Sequence, residues 1–124
     1  MKRFSEKYII TKDMTWEELG GGVSRKFLGY DNQIMMVRVK FDKGALGAPH
    51  QHFHTQATFC VSGKFEFEID GVKKIVEAGD GVYIEPNLLH SAVCLEEGEL
   101  IDTFSPVRED FLTGVGPSYF GDKK

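Results

Sequence analysis

From residue 34 onward the chain follows the two-residue rhythm of half-buried β-strands, interrupted by glycine-bearing turns. Met35, Val37, Val39 and Phe41 share one face, with Met36, Arg38 and Lys40 on the other. Phe65, Phe67 and Ile69 alternate with Lys64, Glu66 and Glu68, and Gly63 is read as the turn that opens this strand. Asp70-Gly71 is a strong hairpin signal, because both residue types accept the left-handed backbone of a tight type I′ turn. It leads into a return strand from Val72 to Glu77. Gly79-Asp80-Gly81 marks another turn, before Val82-Tyr83-Ile84. Two further strands, His90 to Leu95 and Glu99 to Phe104, are expected on either side of Glu96-Glu97-Gly98. This many short strands in so short a chain predict an all-β sandwich or closed barrel. Helix is confined to the margins. Thr15 and Glu18 have capping-box spacing and predict one helical turn over residues 15–19, stopped by Gly20-Gly21-Gly22. Val107 to Leu112 predicts a second short helix.

A chain of 124 residues reads as one domain over residues 1–124, with a barrel core at about 34–106 and a C-terminal tail at 107–124. The net charge of −4 disfavours sequence-independent nucleic-acid binding, which needs a net basic footprint. No apolar run approaches the roughly 20 residues that span a bilayer. The first residues carry no signal-like apolar core, so a cytoplasmic location is expected. Cys60 and Cys94 fall in apolar strand-like runs and read as buried free thiols.

Three of the four histidines lie within five residues, in Pro49-His50-Gln51-His52-Phe53-His54-Thr55-Gln56. Neutral imidazole is the commonest protein ligand for divalent transition metals. In extended backbone His50 and His52 point to one side, and Gln56 shares their parity. His90 is expected from a different strand across the barrel. His54 also shares the parity, but three ligands from one short strand crowd a single ion, so an outer or pocket-rim place is expected for it.

The spacing His50-x-His52-x3-Gln56-x6-Gly63 resembles the first motif of the cupin family, in which the Gln56 position is commonly Glu. Gly79-Asp80 through Pro86 to His90 resembles the second motif. Two departures are visible: Glu85 stands where a proline is usual, and Asn87 where a glycine is usual. The resemblance implies a small single-domain cupin, a double-stranded β-helix or jelly-roll barrel. It implies one divalent transition metal ion, of the set Ni, Zn, Mn, Co or Fe.

A late strand supplies the second clue. Leu100, Asp102 and Phe104 share a face, and an acid on an apolar face is costly unless paired or used. Arg108, just beyond Ser105-Pro106, is placed to return over the cavity mouth. A buried acid, an aromatic and a guanidinium beside a metal suit a small anionic substrate. A structural salt bridge between Asp102 and Arg108 at the rim is the alternative.

Together with Trp16-Glu17-Glu18-Leu19-Gly20 and Asp102-x-Phe104-Ser105-Pro106-x-Arg108-Glu109-Asp110-Phe111, the histidine segment resembles the KdgF family of bacterial pectin-degradation cupins. That resemblance implies conversion of 4,5-unsaturated uronate monosaccharides into linear ketonised forms. It implies His50, His52, Gln56 and His90 as metal ligands, and Asp102, Phe104 and Arg108 as the catalytic set. The expected partner is a sugar acid, with no nucleic acid and no membrane. A homodimer is expected by fold analogy, since such barrels leave an apolar edge or face to cover. A metal-dependent cupin dioxygenase and a non-catalytic sugar- or metal-binding cupin are the other readings.

Overall fold

A computed structural model describes residues 1–113. Among the described residues eight strands carry the fold: β1 (Glu17–Gly20), β2 (Val23–Tyr30), β3 (Met35–Phe41), β4 (Leu46–His50), β5 (Thr55–Ile69), β6 (Val72–Glu77), β7 (Gly81–Ile84) and β8 (His90–Ser105). All pairings are antiparallel. The order β1-β2-β3-β8-β5-β6 is completed by β4 on β8 and β7 on β5.

The frame is the long pair β5–β8. Its register runs from Thr55↔Ser105 to Ile69↔His90. The first half of β5 and the second half of β8 carry β7 and β3; the opposite halves carry β6 and β4. The ladder bends between them, where its register shifts repeatedly from Cys60 to Phe65. Gly63 and Gly98 make this bend possible. A Cβ on Gly63 would lie 2.6 Å from the Gly98 Cα and the Glu97 oxygen, and Gly63 has φ +85°. A Cβ on Gly98 would lie 2.1 Å from the Ser62 oxygen. Only hydrogen fits at both positions.

This bend corrects the expected punctuation. Gly63 lies inside β5 and opens no strand, and residues 90–105 form one strand, with no turn at Glu96-Glu97-Gly98. Here a glycine serves close backbone approach between neighbours, which local pattern reading takes for chain reversal.

The expected helical turn over residues 15–19 is also absent. The helical turn of this region, a 3₁₀ turn, spans Thr11–Asp13, and Glu17–Gly20 is strand β1. Three consecutive glycines with positive φ close a β1–β2 hairpin. Arg25 Nε bonds Glu17 across it at 2.9 Å, and the Trp16 ring takes the ammonium groups of Lys26 and Lys40 at 4.5 Å each. Cross-strand pairing thus overrides a weak capping signal. Strand β2 was not foreseen either: with β1 it extends the sheet back to residue 17, beyond the expected core boundary at 34.

The alternation elsewhere is followed. Met35, Val37, Val39 and Phe41 are buried, as are Phe65 and Phe67. Phe41 meets Phe65 edge to face at 5.3 Å, joining the two halves of the fold in one core. Asp70 and Gly71 turn with φ +50° and +84° between β5 and β6. Cys60 and Cys94 are buried free thiols. A short helix, α1 (Glu109–Thr113), lies where one was expected and buries Phe111. The rest of the tail, residues 114–124, lies outside the described residues. No helix among the described residues is long and apolar enough to cross a membrane.

Candidate metal centre and cavity

The histidines gather at one end of β4 and β8. His50 ends β4 and pairs directly with His90, the first residue of β8, with ring centroids 4.4 Å apart. His90 therefore arrives from a neighbouring strand, where a strand across the barrel was expected. Residues 51–54 are a bend between β4 and β5, so strand parity does not aim His52. Its place is set by the Asn87 amide, which donates to the His52 carbonyl at 2.7 Å. Asn87 has φ +67°. Asparagine tolerates this left-handed conformation, which accounts for it standing where the resemblance led one to expect glycine. The His52 ring then reaches His50 at 5.6 Å and His90 at 5.0 Å. One ligand atom from each of the three histidines lies within 4.8 Å of the others.

Backbone carbonyls fix the tautomers. Nδ1 of His50 meets the Ala48 oxygen at 2.8 Å, Nδ1 of His52 the His54 oxygen at 3.1 Å, and Nδ1 of His90 the Leu88 oxygen at 2.9 Å. A carbonyl only accepts, so Nδ1 carries each proton and Nε2 keeps a lone pair. Nε2 of His90 is buried with no hydrogen-bond partner among the described residues. Nε2 of His52 faces Gln56 Oε1 at 2.9 Å. Two lone-pair atoms at that separation match adjacent ligands about 2.1 Å from one ion. Burial pushes His50 and His52 down to about 4 and lowers His90, so all three are neutral near pH 7, the ligating form. The Arg108 charge acts in the same direction on each. The donor set fits a divalent transition metal.

His54 stands apart from this cluster. Its Nε2 donates to the Val107 oxygen at 3.1 Å, and its ring stacks on Phe53 at 4.0 Å. It ties the bend to the segment that carries Arg108.

A cavity of about 40 Å³ adjoins the cluster, and His50, His90, Gln56, Asp102, Phe104 and Arg108 line it. Asp102 is 5% exposed and opposes Thr58 in the β5–β8 register. Thr58 Oγ1 donates to its carboxylate at 2.7 Å. Burial lifts Asp102 from 3.8 to about 6, against opposing pulls from Thr58 and the Arg108 charge. Phe104 opposes Gln56 and meets the His52 ring edge to face at 5.7 Å.

Arg108 is 1% exposed, so it is part of the wall and does not arch over the mouth as expected. Its Nε and Nη2 grip Asp110 at 2.9 and 2.6 Å, and its guanidinium lies 5.0 Å from the Phe104 ring and 4.2 Å from Phe111. Sequence reasoning gave Asp110 and Thr58 no part. Asp110 sits two residues after Arg108, and Thr58 continues the inward parity of Gln56. Those are the signals that were available.

The cupin domain family matches residues 37–104. The pectin degradation protein KdgF of Dickeya dadantii (strain 3937) is 47% identical over 108 residues, covering 86% of this chain and 98% of that protein. The chain is a cupin of the KdgF family. Two solved structures agree with this. An RmlC-like cupin from Shewanella frigidimarina NCIMB 400 superposes with a TM-score of 0.87 at 44% identity, covering 89% of this cupin and 99% of that chain. KdgF from Halomonas sp. superposes at 0.83 with 38% identity, covering 86% and 99%.

Proposed function

We propose that this cupin converts 4,5-unsaturated uronate monosaccharides into linear 4-deoxy-5-keto uronates, with a metal held by His50, His52, Gln56 and His90. One observation carries the reading: a buried carboxyl, pushed up by its burial, shares a cavity with a histidine cluster and a buried guanidinium. The pectin-degradation role named for its 47% identical relative supports the substrate class.

The substrate is a cyclic enol ether with a carboxylate on its alkene and a hemiacetal at C1. Conversion is an isomerisation. The hemiacetal opens to an aldehyde as O1 loses its proton and the ring oxygen gains one to become an enol; the enol hydroxyl then loses its proton and C4 gains one as the ketone forms. Asp102 serves as the proton carrier. At about pH 6 it is present in both forms, so it accepts one proton and delivers another without a large energetic penalty. Arg108, braced by Asp110, offers positive charge to the substrate carboxylate. Phe104 presents an apolar face to the sugar and helps exclude water from the protonation site. When bound, a divalent metal supplies Lewis-acid stabilisation of developing negative charge.

The test mixes metal-loaded protein with an unsaturated uronate monosaccharide and follows the loss of alkene absorbance. Turnover that disappears in Asp102→Asn with metal content unchanged is the expected result. No acceleration over buffer, with metal supplied, overturns the assignment.

A further inference from the structure

We infer that Thr58 is a positioning residue, whose hydroxyl fixes the amide of Gln56 and the carboxylate of Asp102 in one directed chain of hydrogen bonds. This rests on the metal and proton-carrying roles proposed above for Gln56 and Asp102. Thr58 is 4% exposed on β5, two residues beyond Gln56 on the same face and directly opposite Asp102. Its oxygen stands 2.7 Å from Asp102 Oδ1 and 2.9 Å from Gln56 Nε2.

A hydroxyl has one proton to give. An ionised Asp102 only accepts, so that proton goes to Asp102. The Thr58 oxygen then remains as an acceptor, and the Gln56 atom facing it must be the NH₂ group. Gln56 Oε1 is thereby turned toward His52 Nε2, at 2.9 Å, on the ligand side of the cluster. With Asp102 ionised, the order Gln56 to Thr58 to Asp102 follows from proton counting. A glutamate at 56 would set two carboxylates against one hydroxyl proton, so the glutamine of this chain and its Thr58 form a matched pair.

Removing the hydroxyl releases both ends. A free Gln56 amide gains by rotating its NH₂ onto the His52 Nε2 lone pair. That hydrogen bond uses the electrons a metal needs and turns the amide oxygen away. Asp102 meanwhile loses a donor and binds its proton more tightly.

The experiment compares wild type, Thr58→Val and Thr58→Ser. Valine keeps the branched shape and strand preference, and thermal denaturation verifies folding. Chelator-stripped protein is titrated with zinc ion. Loss of such a supporting hydrogen bond to a ligand is expected to weaken binding about tenfold or more in Thr58→Val, with Thr58→Ser close to wild type. Equal zinc affinity in wild type and Thr58→Val overturns the inference. A measurement on wild type alone keeps it testable if the valine variant does not fold. Side-chain amide protons of Gln56 in metal-free, nitrogen-labelled protein are expected to exchange slowly with solvent, and exchange at the rate of an exposed glutamine overturns the inference. With the unsaturated uronate, Thr58→Val is expected to lower kcat about tenfold or more with KM little changed, and Thr58→Ser to restore it. Inactive wild type would refute the proposed reaction, while zinc affinity and amide exchange would still decide the place of Thr58.

Discussion

Replacing Asp102 with asparagine should make the metal-free protein more stable and catalytically dead. The magnitude follows from the burial of this carboxyl, which lifts it from 3.8 to about 6. The folded state therefore holds the proton more tightly than the unfolded chain. Stability from this group is greatest when it is protonated in both states and falls as pH rises from 3.8 through 6. At ~1.4 kcal/mol per pH unit, the charged form costs the fold about 3 kcal/mol above pH 7 and about 1.6 kcal/mol at pH 5. Asparagine carries no such cost and keeps an oxygen for the Thr58 hydroxyl. The assay is urea denaturation of both proteins in chelator between pH 5 and 8, taking the difference at each pH. The lowered His50 and His52 destabilise both proteins equally as pH falls below 6.5, so they cancel from the difference. The expected curve favours the asparagine variant throughout and rises by about 1.4 kcal/mol from pH 5 to 8. A difference that is flat with pH, or that favours the wild type, refutes the reasoning. A carboxyl retained at such cost fits the trade of stability for function seen at reactive sites.

Three further outcomes are expected. Gly63→Ala drives a Cβ to 2.6 Å from the Gly98 Cα at a residue with φ +85°; it should cost about 4 kcal/mol or more and lower the melting temperature sharply, or leave no folded protein. His90→Ala removes one of three clustered donors; elemental analysis should find bound metal greatly reduced, while far-ultraviolet circular dichroism stays that of a β protein. Arg108→Lys replaces a two-pronged grip on Asp110 with a point charge; kcat/KM for the uronate should fall about 100-fold, with metal content unchanged.

Much of the strand content was legible because sheet faces impose a period of two on the sequence. Met35 to Phe41 and Phe65 to Phe67 show that period clearly, and Asp70-Gly71 marks its own turn. The residues that gather at the cavity were likewise visible, since clustered histidines and an acid on an apolar face are rare unless used. What misled was punctuation. Gly63 and Gly98 look like turns, yet they are the crossing point of two long strands that are distant in sequence. Thr15 and Glu18 offered a local cap that the Gly20-Gly21-Gly22 hairpin outcompeted.

The same division holds within the site. Residue type and spacing determined by themselves which side chains have metal-binding or proton-carrying chemistry, because those capacities belong to imidazole, amide and carboxyl groups wherever they stand. Only the tertiary structure decided how each is held. The Asn87 amide sets His52, backbone carbonyls choose three tautomers, and Asp110 grips Arg108 within the wall. Thr58 acquires a partner in Asp102, forty-four residues away, because β5 and β8 run side by side. Hydrogen-bond direction and burial depend on which strands become neighbours, and that pairing is a property of the whole sheet.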